Sequence, residues 1–348
     1  MRKNKKTAVE DILGLINALS PLEIDLIKTA LLESKASAAD MDQLINEERF
    51  SGGLVCPLCG CMGHIVRNGH REDGKQRYFC KDCGKSFLST TNSIASGSSK
   101  ELNTWKRYIE CMINKMPYRQ AAMICKIHRN TAFKWRHKIL DALHSAQEFN
   151  LEGIIEADET FFPVSFKGNH NRGSFKMPRK AHKRGHSIHT RGLSKEQVCV
   201  SCAVDRSNNY LSMIAALGRI TTKDLHLVFD GKIKDNSTLC TDKMNSYVRF
   251  AKSGNINLIQ LKTGKSKKGI YHIQHINAYH SELKRFMKIF KGVATKYLNN
   301  YLLWHNWINV AEGSLQDRVN SILRQAVSTR ITIKCSTLSR RPAIPLPN

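Results

Sequence analysis

Two Cys-x-x-Cys pairs, Cys56-Pro57-Leu58-Cys59 and Cys80-Lys81-Asp82-Cys83, stand about twenty residues apart. Tetrahedral Zn²⁺ takes four soft ligands, and each pair offers two thiolates from one tight turn. Gly60 and Gly84 follow the pairs as turn formers, and Lys75 to Cys80 alternates like a strand leading into the second pair, the pattern of a zinc ribbon. Cys61 and His64 lie close enough in sequence to substitute, but Cys56, Cys59, Cys80 and Cys83 are a complete set. Four protein ligands leave no open position on the metal, so this zinc is structural.

Other residues fall where chemistry collects. Leu151 to Phe162 reads as a strand with acids near its end, and because side chains alternate along a strand, only one of Asp158 and Glu159 can join a given site. An apolar run from Val198 to Val204 leads to Asp205 and then to a strand from Tyr210 to Ala216, and Ser237 to Asp242 is a short strand ending in an acid. Further on, Asn277, His280 and Lys284 stand at i, i+3 and i+7, on one face of a helix. Cys199 and Cys202 repeat the Cys-x-x-Cys spacing in an apolar strand where the sulfurs face opposite ways, which favours buried thiols. A third group reads as a helix-turn-helix. Tyr118 to Cys125 forms a short helix, Lys126-Ile127-His128 the turn, and Arg129 to Ile139 a second helix whose exposed start offers Arg129, Asn130, Thr131 and Lys134 to base edges. Small Ala121 or Ala122 lets the helices cross closely, Ile127 plugs the turn, and Ala132 and Trp135 face inward.

These groups need positioning elements, and the chain is long enough to supply them. Its 348 residues carry 55 Lys+Arg against 29 Asp+Glu, a net charge of +26, and 41% apolar residues. The charge points to a polyanion, with nucleic acid ahead of a membrane surface, and much of the chain must fold. The absence of an 18-residue apolar run excludes a transmembrane helix, and Glu10 and Asp11 interrupt what would be the core of a signal peptide. The eleven cysteines therefore read as metal ligands and buried thiols of a reducing compartment, and the expected location is the cytoplasm, in association with the nucleoid.

The expected organisation is a multidomain chain: a small helical N-terminal segment at 1–50, a zinc ribbon at 51–92, a helix-turn-helix region at 100–149, an α/β domain at 150–325 and a flexible tail at 326–348. Helical periodicity through Val9 to Leu19 and a capping box at Ser20-Pro21-Leu22-Glu23 support the first. Thr90 to Ser99 reads as a Ser-rich linker. Arg67, His70, Arg71, Lys75, Arg77, Lys81 and Lys85 would give the ribbon a basic face. Phe161 to Lys195 holds nine Lys/Arg, four His and no acid, and reads as a segment that tracks a DNA backbone. Trp304 and Trp307 repeat at helical spacing, as core residues do.

From Cys56 to about Trp307 the chain resembles the DDE-superfamily insertion-sequence transposases that begin with a zinc ribbon. The resemblance rests on the ribbon, Ala157-Asp158-Glu159-Thr160, Thr241-Asp242, Ile276 to Lys284, and the run Gly292 to Leu302. It implies a ribonuclease-H-like α/β fold, with Asp158 on the first strand, Asp242 on a neighbouring strand and a third ligand on a later helix. In most of the superfamily that ligand is Glu; here Asn277 stands in its place, with Lys284 seven residues on, a variant pattern of the group. Asn offers a neutral carbonyl oxygen, so the site would hold two Mg²⁺ with one negative charge fewer. The resemblance further implies metal-assisted cleavage at the element's ends followed by strand transfer, Lys284 fixing a phosphate, and a homo-oligomer that pairs two ends. Glu282 is the alternative third acid. A non-catalytic zinc-ribbon regulator and a stand-alone nuclease are the other readings of the same chain.

Overall fold

The computed structural model describes residues 19–20, 24, 41–145, 150–168, 177, 193–261, 267–331 and 335–347. The expected helix from Val9 to Leu19 and the capping box at Ser20 to Glu23 lie outside the described residues, apart from positions 19 and 20, and so does most of the acid-free stretch after Phe161. Two compact units emerge, one reaching Thr91 and including Ala95–Arg107, the other formed by Asn92–Ile94 and Tyr108 onward.

In the first unit, helix α1 (Met41–Arg49) buries Met41 and Ile45. Strands β1 (Ile65–His70), β2 (Gln76–Cys80) and β3 (Lys85–Leu88) form an antiparallel sheet in that order. Its register aligns Arg67 with Tyr78 and Tyr78 with Phe87, and the two rings stack at 5.5 Å. Arg77 pairs instead with Leu88 on the opposite face. The expected basic face is therefore divided between both sides of a small sheet, because adjacent strand positions alternate. Lys75 is drawn away as well, its Nζ lying 2.6 Å from Asp42 Oδ2.

Helix α2 (Leu102–Ile113) spans the division between the units, followed by α3 (Tyr118–Ile124) and α4 (Arg129–Ser145). The α3–α4 junction follows the residue pattern: Ala121, Ala122, Ala132 and Trp135 are buried, Lys126 takes a positive φ of 50° in the turn, and His128 Nδ1 accepts the Asn130 N–H at 3.2 Å where α4 begins. The expected linker is not solvated throughout, since Ser93 and Ile94 are 1% and 0% exposed.

The second unit is built on strands β4 (Ile154–Pro163), β5 (Gln197–Asp205) and β6 (Tyr210–Leu217), then helix α5 (Thr222–Phe229), β7 (Thr238–Thr241), α6 (Asn245–Ser253) and β8 (Asn257–Gln260). The sheet order is β6-β5-β4-β7-β8: β4, β5 and β6 run as an antiparallel meander, and β7 and β8 are parallel to β4 through helical crossovers. Thr221 starts α5 with a capping box, its hydroxyl accepting from the Asp224 N–H while the Asp224 carboxylate accepts from the Thr221 N–H. Alternation along β4 sorts its side chains. Ile155 and Ala157 join Leu211, Leu225, Phe229, Leu239, Tyr247 and Phe250 in one apolar core on the α5 and α6 side. Glu156, Asp158 and Thr160 point to the other side.

That other side is covered by α7 (Gln274–Ile289), which follows a short hairpin of β9 (Lys267–Lys268) and β10 (Tyr271–His272), and by α8 (Leu298–Val310). A capping box of Ser314 and Asp317 opens α9 (Leu315–Ser328), and a short α10 (Cys335–Ser339) follows. Trp304 is buried, and Trp307 half-buried with the Arg318 guanidinium 5.8 Å above its ring. Helix α4 belongs to this unit. Arg136 is wholly buried, its guanidinium 4.6 Å from the Trp304 ring and its Nη2 donating to Met116 O at 2.6 Å. Asn300 Nδ2 donates to Asp141 Oδ1 at 2.8 Å. The segment expected as a loose tail is instead pinned at several points: Val327, Ile331 and Leu338 are buried, and Arg341 pairs with Asp141. Its prolines and serines hide anchors that only tertiary contact reveals.

Candidate functional site

Strands β4 and β7 bring the two acids together. Their parallel register pairs Ile155 with Leu239 and Glu156 with Cys240, and continuing it by two residues sets Asp158 beside Asp242, just past the end of β7. Paired positions on parallel strands share a face, so both carboxylates belong to the side that α7 covers. Burial raises both acids above the usual carboxylate range. For Asp158 the rise reaches about 6, with the Glu159 N–H and the Lys284 charge opposing it and the Asp242 charge adding to it.

From α7, His280 Nδ1 lies 3.8 Å from Asp158 Oδ2. Its ring is buried and held neutral, at about 4, by burial and then by the Lys284 charge. Asn277 and Lys284 are exposed on the same helix, and Lys284 is close enough for its charge to act on Asp158. Glu282 sits elsewhere: Tyr210 is raised by burial and then by the Glu282 charge, which acts on neither acid. Glu159 points to the opposite face. Burial raises it to about 7, and its partner is the Tyr247 hydroxyl, which donates to Oε1 at 2.6 Å. This neutral partner follows from the strand's alternation, which turns Glu159 toward the core side and Tyr247 of α6. Cys202 pairs across the sheet with Asp158, and both Cys199 and Cys202 are buried.

A cation fits this arrangement on the chemistry of its donors. Asp242 Oδ1 is buried and has no hydrogen-bond partner among the described residues, and a second carboxylate stands beside it. Oxygen donors of this kind are what Mg²⁺ takes.

The ribbon passes its own test. Cys56, Cys59, Cys80 and Cys83 bring all four sulfurs within 4.8 Å of one another. Cys56 Sγ is 3.8 Å from Cys83 Sγ and Cys59 Sγ 3.7 Å from Cys80 Sγ. A tetrahedron with Zn–S bonds of about 2.3 Å has edges of about 3.8 Å, so these separations match. Each turn closes on a glycine, Gly60 N–H donating to Cys56 O at 2.8 Å and Gly84 N–H to Cys80 O at 3.0 Å, with φ of +85° and +65°. The Cys83 N–H holds the Cys80 thiol down at about 6, which favours the thiolate that a metal takes. Of the possible substitutes, Cys61 Sγ crowds Cys80 Sγ at 3.1 Å, whereas His64 Nδ1 is engaged with Asp82 at 2.7 Å.

In the helical pair, Arg129 and Asn130 are exposed and Thr131 and Lys134 half-buried. Sequence reasoning passed over Glu156, which shares a face with Asp158 and meets His272, His275 and Arg206 where α7 starts. Its signal was its spacing, two residues before Asp158 on an alternating strand.

Comparison with known proteins bears on the same residues. The model of the ISXO2-like transposase domain matches residues 150–307. An uncharacterized protein in transposable element ISH50 of Halobacterium salinarum is 24% identical over 280 residues, covering 79% of this chain and 90% of the relative. Among solved structures, a chain of the simian T-cell lymphotropic virus intasome in complex with PP2A regulatory subunit B56 gamma aligns at 11% identity, covering 70% of this chain and 77% of that one with a TM-score of 0.29. A chain of the pre-cleavage Mos1 transpososome aligns at 9% identity, covering 60% and 73% with a TM-score of 0.20. Alignments this loose carry no argument about the fold. Both acids and the helix facing them lie inside the span that matches the ISXO2-like transposase domain, and this match, with the relative from an insertion element, supports an insertion-sequence DDE transposase.

Proposed function

We propose that this protein binds the terminal repeats of its insertion sequence and catalyses metal-dependent DNA cleavage and strand transfer. The observation that carries the reading is the β4/β7 register, which sets Asp158 beside Asp242 on the face covered by α7. The strand order β6-β5-β4-β7-β8 supports a ribonuclease-H-like catalytic domain, assigned to 150–325. Asp158, Asp242 and Asn277 would hold Mg²⁺, two ions in the full site. Bound there, Mg²⁺ supplies activation of the attacking water or 3′-hydroxyl and neutralisation of the leaving oxygen. Lys284 holds a phosphate near the reacting bond, and His280, neutral and buried, orients the Asp158 carboxylate. Cys56, Cys59, Cys80 and Cys83 hold a structural Zn²⁺. Arg129, Asn130, Thr131 and Lys134 meet DNA at the start of α4, where phosphate contacts make affinity fall with salt. Two such chains pair two element ends.

The test is a cleavage and strand-transfer assay with Mg²⁺ and the element's own terminal repeats. Asp158→Asn and Asp242→Asn each lower cleavage by more than about a hundredfold, the scale at which even outer-shell partners of a metal register. Full activity in both removes the site. Asn277→Ala is impaired and Glu282→Ala active; the reverse moves the third ligand to Glu282. Binding without any cleavage makes the chain a regulator, and cleavage without joining makes it a nuclease.

A further inference from the structure

The N-cap residue of helix α7 caps nothing, and among its close neighbours only His272 helps, its Nδ1 accepting the Gln274 N–H at 3.3 Å. Ile273 occupies the N-cap position and offers no side-chain hydrogen bond, although helix starts prefer Ser, Thr, Asp or Asn there. The cap comes from β4. Glu156 Oε2 accepts the N–H of His275 at 2.8 Å and of Ile276 at 3.1 Å, the second and third residues of the helix, which a local cap residue would serve. Its other oxygen is held by Arg206 Nη1 at 3.0 Å and faces His275 Nδ1 at 2.8 Å, with His272 Nδ1, which accepts the Gln274 N–H, 3.1 Å away. The carboxylate is 1% exposed, so each contact acts in a medium of low polarity. Arg206 also donates through Nη2 to Ile270 O at 3.1 Å, fastening the loop before the helix.

Glu156, His272 and His275 offer three atoms close enough to hold a metal. The Arg206 guanidinium, however, already places a cation against the oxygen that such a metal would need. The cluster is better suited to anchoring than to metal binding.

From this geometry we infer that Glu156, backed by Arg206, is a positioning residue for the DNA-cleaving site. It fixes the height and rotation of α7 against β4, and with them the Asn277 and Lys284 face. Asn277 directly follows Ile276, whose N–H Glu156 accepts, and Asp158 lies two residues beyond Glu156 on the same face of β4. One carboxylate thus ties both halves of the site to a common origin. The inference rests on the proposed cleavage reading, but its structural half can be tested apart from it.

The experiment uses the full chain. Hydrogen exchange of the α7 first turn, residues 274–278, is followed in wild type, Glu156→Gln and Glu156→Ala, together with cleavage of the terminal repeat and binding of the same DNA. In Glu156→Ala the first-turn amides exchange about tenfold faster, as loss of a cap implies, while the β5 and ribbon peptides are unchanged. Cleavage at saturating DNA falls by about tenfold or more, with DNA affinity within about twofold, because an imprecise site loses rate and not binding. Glu156→Gln keeps an oxygen for the two amides and falls between, and Arg206→Lys, which keeps the charge, covers the case in which Glu156→Ala fails to fold. Unchanged first-turn exchange overturns the cap, and faster exchange with wild-type cleavage overturns the positioning role. If the wild type cleaves nothing, the proposed activity fails, and the exchange result still decides the cap.

Discussion

The ribbon and the five-stranded sheet solve the same problem, holding a few polar atoms in place, with opposite resources. Among the described residues, the ribbon's core cluster has three buried members, Cys56, Cys80 and Phe87, and two of them are candidate zinc ligands. So little apolar surface cannot offset the chain entropy of its loops, and a cation held by the four sulfurs would supply what burial does not. The sheet needs no such help. Ile155, Ala157, Leu239, Tyr247, Phe250 and their neighbours form a continuous core on one side of it, leaving the other side free to carry Asp158 and Asp242 near α7. A metal in the ribbon would make the structure; a metal at the acids would use a structure already made.

The contrast can be broken most forcefully by chelation. Structural zinc contributes on the order of 10 kcal/mol to small domains, so a strong chelator should abolish exchange protection in the ribbon peptides and leave those of β4, β5 and β7 intact. Equal loss in both regions would end the comparison. The converse experiment is Leu239→Ala, which removes a wholly buried side chain from the sheet's core and should cost about 2–5 kcal/mol of that unit's stability in denaturant titration, with ribbon protection and bound zinc unchanged. The smallest effect is one of pH. Burial, and then the Lys115 charge, hold His305 down at about 4, and burial with the Arg341, Arg136 and Lys296 charges holds His137 well below its ordinary value. Both lie below the unfolded value of about 6.5, so the stability they permit is complete above that pH and is lost as pH falls toward 4. Between pH 7 and 5 these two groups lower the unit's stability, by up to about 1.4 kcal/mol per pH unit each, while Asp158 and Glu159, raised by burial, pull the other way, so the His305 share is read as the difference in pH slope between wild type and His305→Gln in denaturant titration. An unchanged slope would remove His305 from this account.

The parts of the site that could be read in the sequence are those whose geometry is local. Two thiols in one turn, an acid at a strand's end and residues sharing a helical face all follow from fixed chain periods, and the structure brings the four sulfurs together and sets Asp158 near His280 of α7. Contacts between distant segments were not legible. Tyr247 is 88 residues from Glu159, His275 is 119 from Glu156, and Arg341 is 200 from Asp141, and no period links them. The same reason explains why the stretch after Ser328 read as loose: three well-placed anchors are enough to hold a Pro-rich segment whose composition predicts none.

The packing of α4 carries a consequence of another kind. Arg136 is sealed against Trp304, and Asp141 is tied to Asn300 and Arg341, so this helix is clamped to α8 and the chain's end. If Arg129 and Asn130 touch DNA, they do so from the same body that carries the acids. The interval between the sequence that is read and the bond that is cut would then be set by a rigid gauge, and its accuracy in base pairs would depend on side-chain packing far from either.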